Sequence, residues 1–137
     1  MIQKLTMGLS YELKTGVICL TAAGDVVYEE GLKTFAESIA EAGRVTKTEG
    51  DPEHWHLMFD IRNSAEDRSE EELKGIAIFV SQHRDILSGR MAIVTADDFH
   101  YRLARVFEAF AEELSQDAGV FRDIDQAEAW LHQGLMC

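Results

Sequence analysis

Three apolar runs, "GVICLTAAG" from Gly16, "HWHLMFDIR" from His54 and "RMAIVTA" from Arg90, are each followed by a longer stretch with apolar residues at helical spacing. That alternation constrains the chain more than any other feature. Strands separated by helices form crossover units, and successive units build a mostly parallel sheet. A fourth run, "LSYEL" from Leu9, lies before the first and is joined to it by Lys14-Thr15-Gly16, a hairpin turn. The hairpin makes the sheet mixed. The expected fold is a single-domain α/β protein with a mixed, mostly parallel sheet flanked by about four helices. At 137 residues the chain suits one core.

The elements follow in order. Tyr28, Leu32, Phe35 and Ile39 recur at helical spacing, with Gly43 as the expected stop. "RVTKTEGDPEH", which holds the only proline, reads as a loop. In the central strand Trp55, Leu57, Phe59 and Ile61 face one side, and His54, His56, Met58, Asp60 and Arg62 the other. A helix is expected over residues 69–87 and another over 98–115. A short "GVFRD" strand or turn and a last helix "IDQAEAWLHQ" complete the chain. Asp25, Ser69, Asp97 or Asp98, and Asp123 stand at the four helix starts, where short polar side chains accept hydrogen bonds from unpaired amides. In a parallel sheet these starts lie near the carboxyl ends of strands, where ligands bind in open α/β folds. Capping alone accounts for all four.

With 25 acidic and 13 basic side chains the net charge is −12, which repels phosphate backbones and anionic membrane surfaces. Nucleic acid is therefore excluded as a partner, and membrane association is at most transient. Cys19 and Cys137 do not form a disulfide framework, and the first residues carry neither a long apolar run nor a small-residue cleavage site. A cytoplasmic protein with free thiols is expected.

The chain resembles the SpoIIAA-like family, grouped with STAS and SEC14-type domains. The resemblance rests on Phe59-Asp60-Ile61-Arg62, "MAIVTADD" at 91–98, "YRLARVFEA" at 101–109 and "VFRDIDQAEAWL" at 120–131. It implies a small mixed sheet flanked by helices, no catalytic activity, and one of two roles: carriage of apolar ligands, or partner switching controlled by a phosphorylated serine. By register, Asp60 matches the strand-end aspartate of the switching regulators, and Ser69 their switch serine. Those regulators read Asp-Ser-Ser-Gly, whereas this chain reads Arg68-Ser69-Glu70-Glu71. Ser69-Glu70-Glu71-Glu72 has the form of a capping box, worth about 1 kcal/mol. A phosphate there would gain about 0.3–1 kcal/mol from the helix dipole. Each close pair with a neighbouring carboxylate would cost on the order of 1 kcal/mol. A capped joint is the stronger reading of this stretch, with the switch as the alternative.

Other chemistry is sparse. His54 and His56 could begin a metal site, but no third ligand stands at a fitting spacing, so no metal and no cofactor are expected. No nucleophile elbow or phosphate-cradling loop occurs, and no catalytic residue is assigned. Arg105 is expected to pair with Glu108 or Glu112 beside Tyr101, or, with Arg62, to receive an anionic head group. The informative surplus is apolar. Ile78 and Phe79 widen the stripe of Leu73, Ile76, Val80 and Leu87, and the next helix offers Phe99, Leu103, Val106, Phe107 and Phe110. Wide stripes belong to helices buried on more than one side. The expected function is a carrier or sensor of a small apolar or lipid-like ligand, held between these helices by Ile78, Phe79, Tyr101, Arg105, Phe107 and Phe110. A homodimer is the other way to cover that surface.

Overall fold

The computed structural model describes residues 8–135, so Cys137 and the first seven residues lie outside the described residues. Strands β1 (Gly8–Lys14) and β2 (Val17–Gly24) form the antiparallel hairpin, turned at Thr15-Gly16 with Gly16 at φ 71°. There follow α1 (Tyr28–Glu49), β3 (His56–Ser64), α2 (Glu70–Ser81), β4 (Met91–Val94), α3 (Asp98–Glu113), β5 (Ala118–Phe121) and α4 (Ile124–Leu135). The sheet runs in chain order, β1-β2-β3-β4-β5, and every pair after the hairpin is parallel. The mixed, mostly parallel α/β architecture read from the sequence is the observed one.

Alternation along the strands divides the core. Ile18, Leu20, Leu57, Phe59, Met91 and Ile93 meet α1, α2 and α3 on one face. Val17, Met58, Ala92 and Val94 meet Ala127 and Leu131 of α4 on the other. α1 lies over the hairpin and α2 packs along α3, while α1 and α2 meet through Phe35 against Phe79 and Tyr28 against Glu72. No helix among the described residues is long and apolar enough to cross a membrane.

Three boundaries differ from the sequence reading. α1 passes through Gly43 and ends only at Gly50, which takes φ 77°. The cause is tertiary: Val45 packs on the core, and Thr46 Oγ1 accepts from Trp55 Nε1 at 3.0 Å, so residues 44–49 are helical and not loop. α2 stops at Ser81, where Ser81 Oγ donates to the Ile78 carbonyl and His83 Nδ1 lies 2.9 Å from the Phe79 carbonyl. Asp25 does not cap α1. The N-cap is Val27, without a side-chain bond, and a distant loop supplies the polar contacts. The other three starts are capped as expected. Ser69 and Glu72 form the capping box, Asp97 accepts from the His100 amide at 2.8 Å, and Asp123 accepts from Asp125 and Gln126.

Candidate functional site

The gap between α1 and the α2–α3 pair is a cavity of about 150 Å³, open on one side, at the carboxyl ends of β2 and β3. Its floor is aromatic. Phe35 meets Phe59 edge-on at 5.5 Å, and Phe59 meets Phe107 at 6.1 Å and 79°, the arrangements that aromatic quadrupoles favour. Leu32, Ile76 and Leu103 form walls above this floor.

The rim is polar, and residues 65–68 organise it. Glu66 accepts from the Val26 amide through its carboxylate, and its backbone carbonyl lies 3.0 Å from His100 Nε2. His100 Nδ1 stands 2.9 Å from the Asp97 carboxylate. The Arg68 guanidinium donates to the Val26 carbonyl, lies 3.7 Å from Glu72, and sits 5.4 Å over the Tyr28 ring. Tyr28 in turn donates to the Glu72 carbonyl at 3.2 Å. One loop thus ties together the starts of three helices, and the rim groups are mostly spent on one another. Burial pushes the Tyr28 hydroxyl pKa up, and Glu72 adds to this against Arg68. Hydrogen bonds from the His100 backbone and ring hold Asp97 below the usual carboxylate range.

Of the six side chains expected to bind ligand, Phe107 lines this cavity. Ile78 lies on the outer side of α2, 39% exposed. Phe79 is half-buried against Phe35 and His83, and Phe110 is half-buried against the core. Tyr101 carries the Arg122 guanidinium 4.4 Å over its ring, and Arg105 pairs with Glu108 at 2.9 Å. The open space is lined by α1 together with α2 and α3, through Leu32, Phe35, Ile76, Leu103 and Phe107. Ser69 Oγ is occupied by the Glu72 amide at 3.2 Å. Asp60 lies on the α4 face, where Arg62 binds both its oxygens at 2.9 and 2.8 Å. Burial pulls the Asp60 carboxyl upward, but the hydrogen bonds and charge of Arg62 outweigh it and leave its pKa lowered.

Sequence reasoning missed Glu66, Arg68, His100 and Tyr28 as rim residues. The available signal was weak: two charged residues in a loop directly before a helix cap. Their partners are 34 to 42 positions away, beyond any local pattern.

A second cleft of about 450 Å³ opens at the amino ends of β3 and β4, and its lining mixes polar and apolar side chains. There the buried His56 accepts from the Arg90 amide through Nδ1 at 2.7 Å. Desolvation, then the charge of Arg90, then His132, hold the His56 pKa below its ordinary value. Arg90 donates to the Trp130 carbonyl at 2.8 Å and stacks 4.8 Å over the Trp130 ring. His56 is therefore a packed, hydrogen-bonded histidine. Among the described residues no three His, Cys, Asp or Glu side chains gather as a metal site. Cys19, partly buried on the α4 face, has its thiol pKa pushed up by burial against an opposing pull from Lys14.

No protein-family model and no curated protein matches this chain.

Proposed function

We propose that this chain is a non-catalytic binding module of the SpoIIAA-like kind, working in the cytoplasm, whose ligand is a small apolar molecule held at the carboxyl ends of the strands. The observation that carries this reading is the cavity beside Phe35, Phe59 and Phe107, apolar inside and open to solvent. An apolar hollow open to water leaves its lining in contact with solvent, and an apolar guest replaces that water with dispersion contacts. A ligand covering about 150–200 Å² of apolar surface gains about 4–5 kcal/mol from desolvation. Association costs reduce that gain, so weak to moderate affinity is expected.

A native mass spectrum of freshly purified protein, joined to ethylbenzene binding followed by NMR, tests the proposal. Binding that saturates in wild type and disappears when Ile76→Trp fills the cavity supports it. Ethylbenzene that binds equally to both proteins, or to neither, removes the cavity as a binding site.

A further inference from the structure

We infer that the ligand class is a small uncharged molecule, one ring or a short branched chain in size, bearing a single hydrogen-bond acceptor to which the Ser64 hydroxyl donates. This rests on the proposed binding function and narrows it.

Size comes first. An apolar cavity of about 150 Å³ holds a benzene-sized guest. It is too small to enclose a fatty acyl chain.

Charge comes next. The rim carries the carboxylates of Glu66, Glu72 and Asp97 and the guanidinium of Arg68. Arg68, the one arginine in the lining among the described residues, already faces Glu66 at 3.9 Å and Glu72 at 3.7 Å and donates to the Val26 carbonyl. A ligand carboxylate would have to displace those partners or sit unpaired in apolar surroundings, and either is costly. A ligand ammonium meets the converse obstacle. Glu66 is held by the Val26 amide and Arg68, and Asp97 by the backbone and ring of His100.

The Tyr28 hydroxyl, also in the lining, already donates to the Glu72 carbonyl at 3.2 Å, which leaves the hydroxyl of Ser64, in the lining at the end of β3, as the donor to account for. Its oxygen accepts from the Glu66 amide at 3.2 Å, and its proton has no acceptor among the described residues. A hydroxyl carries one donor besides its lone pairs, so Ser64 has one hydrogen bond to give. A carbonyl or ether oxygen on the ligand completes it.

Acetophenone and ethylbenzene are near-isosteres that differ in that oxygen; benzoate and laurate supply charge and length. Dissociation constants for all four are measured on wild type, Ser64→Ala and Ser64→Thr. The inference expects both neutral rings to bind wild type, with benzoate and laurate at least tenfold weaker than acetophenone. Ser64→Ala should weaken acetophenone about three- to tenfold and leave ethylbenzene within about twofold, and Ser64→Thr should restore acetophenone. Equal losses for both rings in Ser64→Ala overturn the acceptor assignment. Laurate binding as tightly as acetophenone overturns the size and charge limits while leaving a binding module in place. Failure of all four probes removes the binding function itself. The wild-type comparison of the four probes needs no variant, so it decides the size and charge limits even where Ser64→Ala does not fold.

Discussion

The two ends of the sheet are built from the same strands and answer opposite problems. At the carboxyl end, apolar side chains of α1, α2 and α3 are left uncovered, and the polar groups lie on a rim where they pair with one another. At the amino end the cleft is larger and its lining is mixed, with polar side chains set among apolar ones. Buried groups there are tied to the backbone, as His56 is to Arg90 and Arg90 to Trp130. The lesson is that volume alone does not mark a site. The smaller space is the better binding candidate, because its apolar lining gains from losing water and most of its rim groups are already paired with one another.

The largest expected effect is at the floor of the carboxyl-end cavity. Phe107 is 5% exposed and packs edge-on to Phe59, so Phe107→Ala should cost about 3–5 kcal/mol in urea unfolding. At the other end Arg84→Ala, on an exposed side chain without a partner among the described residues, should stay within about 0.5 kcal/mol. If Phe107→Ala also costs under about 1 kcal/mol, the aromatic floor is not the packed platform described above.

The amino end has its own point of failure. A Cβ on Gly89 would lie 2.8 Å from both Cγ and Cε1 of His56, a ring held in place by the Arg90 amide. Neither ring nor loop can yield cheaply, and Gly89→Ala should lose about 1–3 kcal/mol. Acid tests the same bond. The folded-state pKa of His56 is lowered, so as pH falls the unfolded chain takes up this proton first. Its contribution is therefore present above the ordinary histidine value of about 6.5 and is lost as pH falls towards the lower folded value. His56→Asn keeps an acceptor for Arg90 and does not titrate. Stability measured from pH 8 to 5 should fall less steeply in that variant than in wild type. Parallel curves would mean that His56 is not what acid attacks.

Ser69 gives the next smaller effect. Its capping box predicts a loss of about 1 kcal/mol in Ser69→Ala and near-wild-type melting in Ser69→Asp, which keeps a capping oxygen. Equal losses in the two variants would mean the cap contributes nothing. Stoichiometric phosphate on Ser69 in protein from its native host would favour the switching role instead.

These sites differ in how far they could be read in advance, and the reason is range. The hairpin, the strand faces and three of the four helix caps depend on residues within four positions of each other, and all were legible. Gly43 misled because a glycine followed by polar residues reads as a stop. Only the packing of Val45 and the bond between Thr46 and Trp55 keep the helix going. Asp25 misled because α1 takes its start from Glu66 and Arg68, about forty residues on. The surplus of apolar side chains was visible, but its location was not. Whether α2 leans on α3 or on α1 is decided by the whole core, and Phe79 and Phe110 were spent on packing while Leu32 and Ile76 were left facing open space.

The smallest expected change in stability carries the sharpest contrast with Gly89. Gly75 lies inside α2, where a Cβ would run into the Tyr28 hydroxyl, the far end of a side chain that can swing away. Alanine in a helix interior gains about 0.5–1 kcal/mol over glycine. Displacing Tyr28 forfeits its bond to the Glu72 carbonyl, worth about 0.5–1.5 kcal/mol, so the two nearly cancel. Gly75→Ala should therefore melt within a few degrees of wild type. The rim should still change, because Tyr28 can no longer lie under Arg68 across the mouth. Ethylbenzene should dissociate severalfold faster, as read from NMR exchange. In a Tyr28→Phe background the clash is relieved, and Gly75→Ala should then stabilise by the helical gain alone. A double-mutant cycle showing the same effect of Gly75→Ala in both backgrounds would mean that Tyr28 does not close on α2, and the mouth would have to be redrawn.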